Sequence, residues 1–170
     1  MRALLVQARS PLTYWSYHFA LPYTGNGAAL PPLGLATLAA LLPSRWEVRI
    51  VDLHLAPLDD ADLAWADAVL VSGMLVHSES MRTVVLRARA MGKRTVVGGP
   101  APTTSPGLFP EADHVFRGEA EGRLDRLVAA LEDPSVPAPR ILSPADGAAR
   151  PDLRTSPTPR FELLRLDRYA

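Results

Sequence analysis

A chain of 170 residues has the length of one domain, and 48% hydrophobic content is enough to build its core. The 18 basic and 18 acidic side chains cancel, so the chain lacks the charge footprint of a nucleic-acid or membrane-surface binder. With no cysteine, it can form no disulfide or thiolate metal site, and it cannot hold an iron–sulfur cluster by itself.

Residues 3–8 read as a first strand, apolar on both faces and therefore central in a sheet. The apolar run here is too short for a signal peptide, and no run reaches the length of a membrane helix; a cytoplasmic protein is expected. Residues 9–30 form a long connection without period, carrying Tyr14, Trp15, Tyr17, His18, Phe19 and Tyr23. A loop of that length inside a compact domain is usually functional. Its aromatics either cover a ligand or fold back as extra core.

Residues 31–42 (PPLGLATLAALL) read as a helix with prolines at its start, apolar nearly all round and so buried on more than one side. A second strand at 47–52 and a short helix at 59–65 follow. Residues 68–71 are the third strand, ending at Ser72-Gly73. Residues 77–91 have helical spacing, with Met81, Val84, Val85 and Ala88 on one face. Residues 95–97 are the fourth strand, ending at Gly98-Gly99-Pro100. A turn at 102–110 leads to the fifth strand at 113–117, and a last helix spans 120–132 with Leu124, Leu127, Val128 and Leu131 on its apolar face.

Five strands alternating with helices make an α/β fold: a Rossmann-like, doubly wound parallel sheet with helices on both faces. The domain is expected to cover residues 1–132. Residues 133–170 read as a Pro-rich linker or strap, since 133–159 alone holds seven prolines and no period. Residues 161–169 regain apolar content, like the start of something further. Both small-residue turns, Ser72-Gly73 and Gly98-Gly99, then fall at the carboxyl edge of the sheet, where open α/β sheets bind ligands.

Other chemistries find little support. Gly25-Asn26-Gly27 lacks the third glycine and the preceding strand of a dinucleotide loop. The ends of strands one and three carry no acidic cluster of a phosphoacceptor domain. The four histidines His18, His54, His77 and His114 show no metal-ligand spacing, and no Gly-x-Ser-x-Gly elbow is present. A binding module fits better than a self-sufficient enzyme.

Pro31-Pro32-Leu33-Gly34-Leu35, Trp65-Ala66-Asp67, Ser72-Gly73-Met74, Gly98-Gly99-Pro100 and Gly118-Glu119-Ala120-Glu121 occur in an order and spacing that resemble one family. This set, over residues 3–131, resembles the amino-terminal cobalamin-binding domain of cobalamin-dependent radical S-adenosylmethionine enzymes. The resemblance implies that Ser72, Gly73, Gly98, Gly99 and Pro100 form the bed for the corrin ring and the slot for its nucleotide tail. It gives Leu33 and Met74 apolar contact to the ring, counts Pro32 and Gly34 among the cofactor-binding residues, sets His77 at the ring's upper side or edge, and lays the Gly118-Glu119 turn beside it. It also implies an enzyme, most often a methyltransferase, whose radical SAM barrel with S-adenosylmethionine and a 4Fe-4S cluster lies outside this chain, in cis or in trans. The segment from Pro159 to Ala170 looks like the approach to such a barrel, so the chain reads as an excised domain or a stand-alone one. A non-catalytic cobalamin carrier or sensor is the alternative, and a dinucleotide-binding enzyme domain a weaker one. Many cobalamin domains carry Asp-x-His-x-x-Gly after the first strand, with the histidine on cobalt. Here only a fragment, Asp52-Leu53-His54, follows strand two, with Pro57 in place of the glycine. No histidine of this chain is therefore expected to ligate cobalt, and Tyr14 or Trp15 is expected to cover that face.

Overall fold

The computed structural model describes residues 1–14, 16–145 and 151–170; Trp15 lies outside the described residues. The strands are β1 (Arg2–Gln7), β2 (Glu47–Asp52), β3 (Ala68–Ser72), β4 (Arg94–Gly98), β5 (His114–Phe116) and β6 (Ile141–Leu142). The helices are α1 (Leu21–Thr24), α2 (Leu33–Leu41), α3 (Asp60–Trp65), α4 (Ser78–Ala90), α5 (Pro100–Thr104) and α6 (Asp125–Glu132). The strands form one parallel sheet in the order β2-β1-β3-β4-β5-β6. The expected doubly wound fold is thus present, but with six strands rather than five. The extra strand is a two-residue edge between Pro139 and Pro144, too short to give a period. Its neighbours complete the ladder: Val115 N–H donates to Arg140 O and Arg117 N–H to Leu142 O.

Period-two alternation builds two cores, one on each face of the sheet. Leu4, Val6, Val69, Val71, Val97 and Val115 point to the face covered by α3, α4 and α5, where Leu63, Met81, Val85 and Ala101 meet them. Ala3, Leu5, Leu70, Val96 and Phe116 point to the face covered by α2 and α6, against Leu35, Ala39, Leu127 and Leu131. Asp59 caps α3 by accepting the Asp62 N–H at 2.7 Å. Glu79 in the first turn of α4 and Arg87 and Arg89 in its last turn match the helix dipole.

Helix α6 begins five residues later than its spacing suggests. Gly118 and Gly122 have φ of 83° and 66°, left-handed values that make turns out of residues 118–124. The loop of residues 9–30 holds a 3-10 turn (Tyr17–Phe19) and the single-turn α1. Tyr14, Tyr17, Phe19 and Tyr23 stand exposed rather than joining the core.

The segment after α6 returns to the domain. Leu142 is buried, Leu163 packs against the α2–α6 core, and Arg160 N–H donates to Ala36 O. Ala28 and Tyr169 form a parallel bridge, and Tyr169 is only 9% exposed. Among the described residues no helix is long and apolar enough to cross a membrane.

Candidate functional site

Parallel register sets four residues in one row at the carboxyl edge of the sheet. Gln7 lies opposite Asp52 on one side and Ser72 on the other, and Ser72 lies opposite Gly98. The chain goes from β1 to β2 on one side and then crosses back past β1 to β3 on the other, so the strand order reverses here. Two cavities open along this edge.

The first is a slot of about 370 Å³ between α2, the ends of β3 and β4, and the start of α6. Eight of the residues singled out from the sequence meet in it: Leu33, Gly34, Ser72, Gly98, Gly99, Pro100, Gly118 and Glu119. The second apolar side of α2 explains its composition, since Leu38 and Leu41 line this slot, Ala39 packs in the core against the sheet, and Leu35 takes part in both. Of the two glycines at the end of β4, Gly99 is the one the fold requires. Gly99 has φ 90°, and a Cβ there would come within 2.5 Å of Ser72 Oγ. A Cβ on Gly98 would meet only Phe116, at 3.9 Å. The Ser72 hydroxyl has no hydrogen-bond partner among the described residues, so it is available to a guest.

The second cavity, about 760 Å³, lies under residues 9–30 and is lined by Pro32, Met74, His77, His54 and Ser10 among others. Pro32, Met74 and His77 therefore open on this cavity rather than on the slot. Gly73 lines neither; it lies under His77, whose Cβ would be 2.9 Å from a Cβ at that position. The turn from Met74 to His77 thus needs glycine to seat the imidazole.

A chain of polar side chains runs beneath this second cavity. Tyr169 donates its hydroxyl to Asp52 Oδ2 at 3.0 Å. Asp52 Oδ1 accepts from the His54 backbone N–H at 2.9 Å and from Nδ1 at 2.8 Å. His54 Nε2 accepts the Ser10 N–H at 3.1 Å, with the Ser10 hydroxyl at 3.2 Å. Ser10 Oγ lies 2.8 Å from His77 Nε2, and His77 Nδ1 accepts the Met74 N–H at 3.1 Å. These partners fix both tautomers: His54 carries its proton on Nδ1 and His77 on Nε2. Burial, reinforced by the neighbouring His54, holds the His77 pKa below the usual histidine value against the opposing pull of Asp52. Tyr169 is pushed up, by burial first and by the Asp52 carboxylate second.

Ser10, His54 and Asp52 have the order of a nucleophile, base and orienting acid, which was not legible in the sequence. The His54 lone pair is nevertheless occupied by the Ser10 N–H, and the Ser10 oxygen faces a second imidazole. The arrangement holds groups in place and leaves no free base. The sequence also did not reveal Leu38, Leu41, Leu124 and Leu127 as slot walls. Their helical spacing marks them only as apolar positions, and no local signal separates a cavity wall from a core contact.

Comparison with known proteins supplies the family. The model of the B12 binding domain family matches residues 27–128, which include the slot and both glycine turns. The chain is 39% identical over 171 residues to an uncharacterized methyltransferase of Synechocystis sp., covering 99% of this chain and 31% of the relative. It is 32% identical over 170 residues to the hopanoid C-2 methylase of Rhodopseudomonas palustris, covering 99% and 32%. An anaerobic magnesium-protoporphyrin IX monomethyl ester cyclase of Synechocystis sp. is 32% identical over 122 residues, covering 61% of this chain and 24% of that protein. The chain spans about a third of the length of the first two relatives. The family match covers more than half of the sequence: the chain belongs to the B12-binding domain family, and cobalamin is its cofactor.

Proposed function

We propose that this chain is the cofactor-binding domain of a B12-dependent radical SAM methyltransferase. The observation that carries the reading is the slot at the ends of β3 and β4. It is an apolar cavity with one available hydroxyl, Ser72, beside two glycines that leave its mouth clear. The residues fit the group. Leu33, Gly34, Ser72, Gly98, Gly99 and Pro100 would hold the nucleotide tail, with the cofactor's own base in the slot. Pro32, Met74 and His77, at the wider cavity, would meet the corrin. Gly73 would act through His77 by seating it, and Gly118 and Glu119 would border the tail. When bound, cobalamin supplies a cobalt centre able to carry a methyl group.

The rest of the reading concerns the longer protein. The names of two relatives, a methyltransferase and a methylase, support methyl transfer. S-adenosylmethionine and a 4Fe-4S cluster would belong to a radical SAM barrel, in cis or in trans, and residues 133–170, some of which also pack on this domain, would lead toward it. A cytoplasmic setting is part of the same proposal, because S-adenosylmethionine and the reductants of such a cluster are found there.

Cobalt would take no histidine from this chain. His54 and His77 each have both ring nitrogens engaged, which supports that view. The test of the cofactor reading is direct. The protein is incubated with hydroxocobalamin, passed through gel filtration and scanned for corrin absorption. Co-elution near one corrin per chain is the expected result, and protein fractions free of corrin would overturn it.

A further inference from the structure

We infer that the slot selects among cobamides by their lower base, accepting a benzimidazole and rejecting a purine. The inference rests on the proposal that the slot takes the cofactor's base. Its walls are hydrocarbon: Leu38 and Leu41 from α2, Leu70 and Val96 from the sheet, Leu124 and Leu127 from α6. Four polar side chains line it, Thr37, Ser72, Glu119 and Glu121, and only Ser72 offers an unpaired hydroxyl. Thr37 Oγ1 donates to Leu33 O at 3.0 Å, within its own helix. Glu121 accepts from the Ser156 hydroxyl at 3.1 Å. Glu119 is exposed, so it stays hydrated at the mouth. At the rim, Gly99 O already receives both the N–H and the hydroxyl of Thr103. Ser72 Oγ is the slot's one side-chain hydroxyl without a hydrogen bond among the described residues.

One hydroxyl matches one base nitrogen. A benzimidazole released from cobalt presents a single ring nitrogen with a lone pair, and the rest of it is hydrocarbon. Adenine adds an amine and further ring nitrogens, each hydrated in water. Entering this slot, those groups would lose water and meet leucine and valine, and a buried polar group without a partner is strongly disfavoured. Shape alone does not discriminate, since both bases are flat bicyclic rings. The selection comes from the missing partners.

The test is a set of affinities measured by absorption titration of the chain with three probes: cobalamin, the cobamide carrying adenine, and cobinamide, which has no lower base. Cobalamin is expected to bind at least tenfold more tightly than the adenine cobamide, a difference of about 1.4 kcal/mol. Adenine is the weaker cobalt ligand and leaves the metal more readily, which opposes the expected order and makes the test stringent. Cobalamin and adenine cobamide within threefold of each other, both tighter than cobinamide, would overturn the selectivity and leave the slot proposal standing. Cobalamin no tighter than cobinamide would overturn the slot proposal itself. Leu38→Gln, on a half-buried wall position, offers an amide to a purine and is expected to narrow the gap to less than half. An unchanged gap in that variant, melting like the wild type, would remove the wall as its cause.

Discussion

Replacing Tyr169 with Phe deletes one hydroxyl and tests whether the returning segment is fastened to the sheet edge. The hydroxyl donates to Asp52 Oδ2 at 3.0 Å, and both residues are buried, 9% and 7% exposed. A hydrogen bond to a charged group contributes about 1.5–3 kcal/mol. For a domain of this size each kcal/mol moves the melting temperature by about 2–4 °C, so Tyr169→Phe is expected to melt about 3–12 °C lower. The pH dependence gives a second readout. The phenol's folded pKa is raised above its ordinary 10.0, so the folded state favours the neutral form. Its contribution is complete below pH 10 and is lost as pH rises from there toward the raised value. Wild-type stability should therefore fall across that alkaline range more steeply than that of Tyr169→Phe, in urea titrations run at successive pH values. A melting shift under about 1 °C, with parallel alkaline profiles, would refute the contact as the fastening.

Other expectations follow from the same contacts. Gly98→Val should keep its fold, since a Cβ there meets only Phe116 at 3.9 Å, yet its methyls would occupy the slot. Overpacking of about 1–3 kcal/mol corresponds to roughly five- to a hundredfold weaker cobalamin binding, and an unchanged titration would sink the slot. Truncation after Glu132 removes the buried Leu142 and Tyr169 and the packing of Leu163. Burying Leu142 alone is worth about 1.5–3 kcal/mol, so a drop of more than about 6 °C is expected by calorimetry; a drop of only a few degrees would mean that the segment is loosely held. Electron paramagnetic resonance of the cobalt(II) form should be alike in wild type, His18→Ala, His54→Ala and His77→Ala. Nitrogen splitting lost in any one of them would identify a protein ligand and contradict the proposal.

The parts of this protein that were legible in its sequence are those whose cause is local. Ala3-Leu4-Leu5-Val6 and Ala68-Val69-Leu70-Val71 are apolar on both faces because helices cover both faces of a parallel sheet, and a run of four such residues announces that by itself. Ser72-Gly73 and Gly98-Gly99 were legible as turns at the carboxyl edge because strand ends carry their own punctuation, and the register sets Ser72 beside Gly98. What stayed hidden depends on contacts between distant positions. The strand Ile141–Leu142 has no period to detect; it exists because β5 leaves an open edge and Leu142 finds the core beside Phe116. The same holds for the polar chain. Ser10 meets His54 across 44 residues and His77 across 67, and Tyr169 meets Asp52 across 117. In sequence, Asp52-Leu53-His54 reads as the broken remnant of a cobalt-ligand motif, because spacing records which residue types are present and not what their ring nitrogens face. The fold gives the pair another task. Asp52 turns one oxygen to His54 and the other to Tyr169, and His54 turns its free nitrogen to the Ser10 backbone. An imidazole so engaged must break a hydrogen bond before it can reach a metal. The same pair ties the returning segment to the loop that follows β1 and, through Ser10, to the His77 turn after β3. Displacing Tyr169 should therefore be felt at the wider cavity, through the residues that hold its floor.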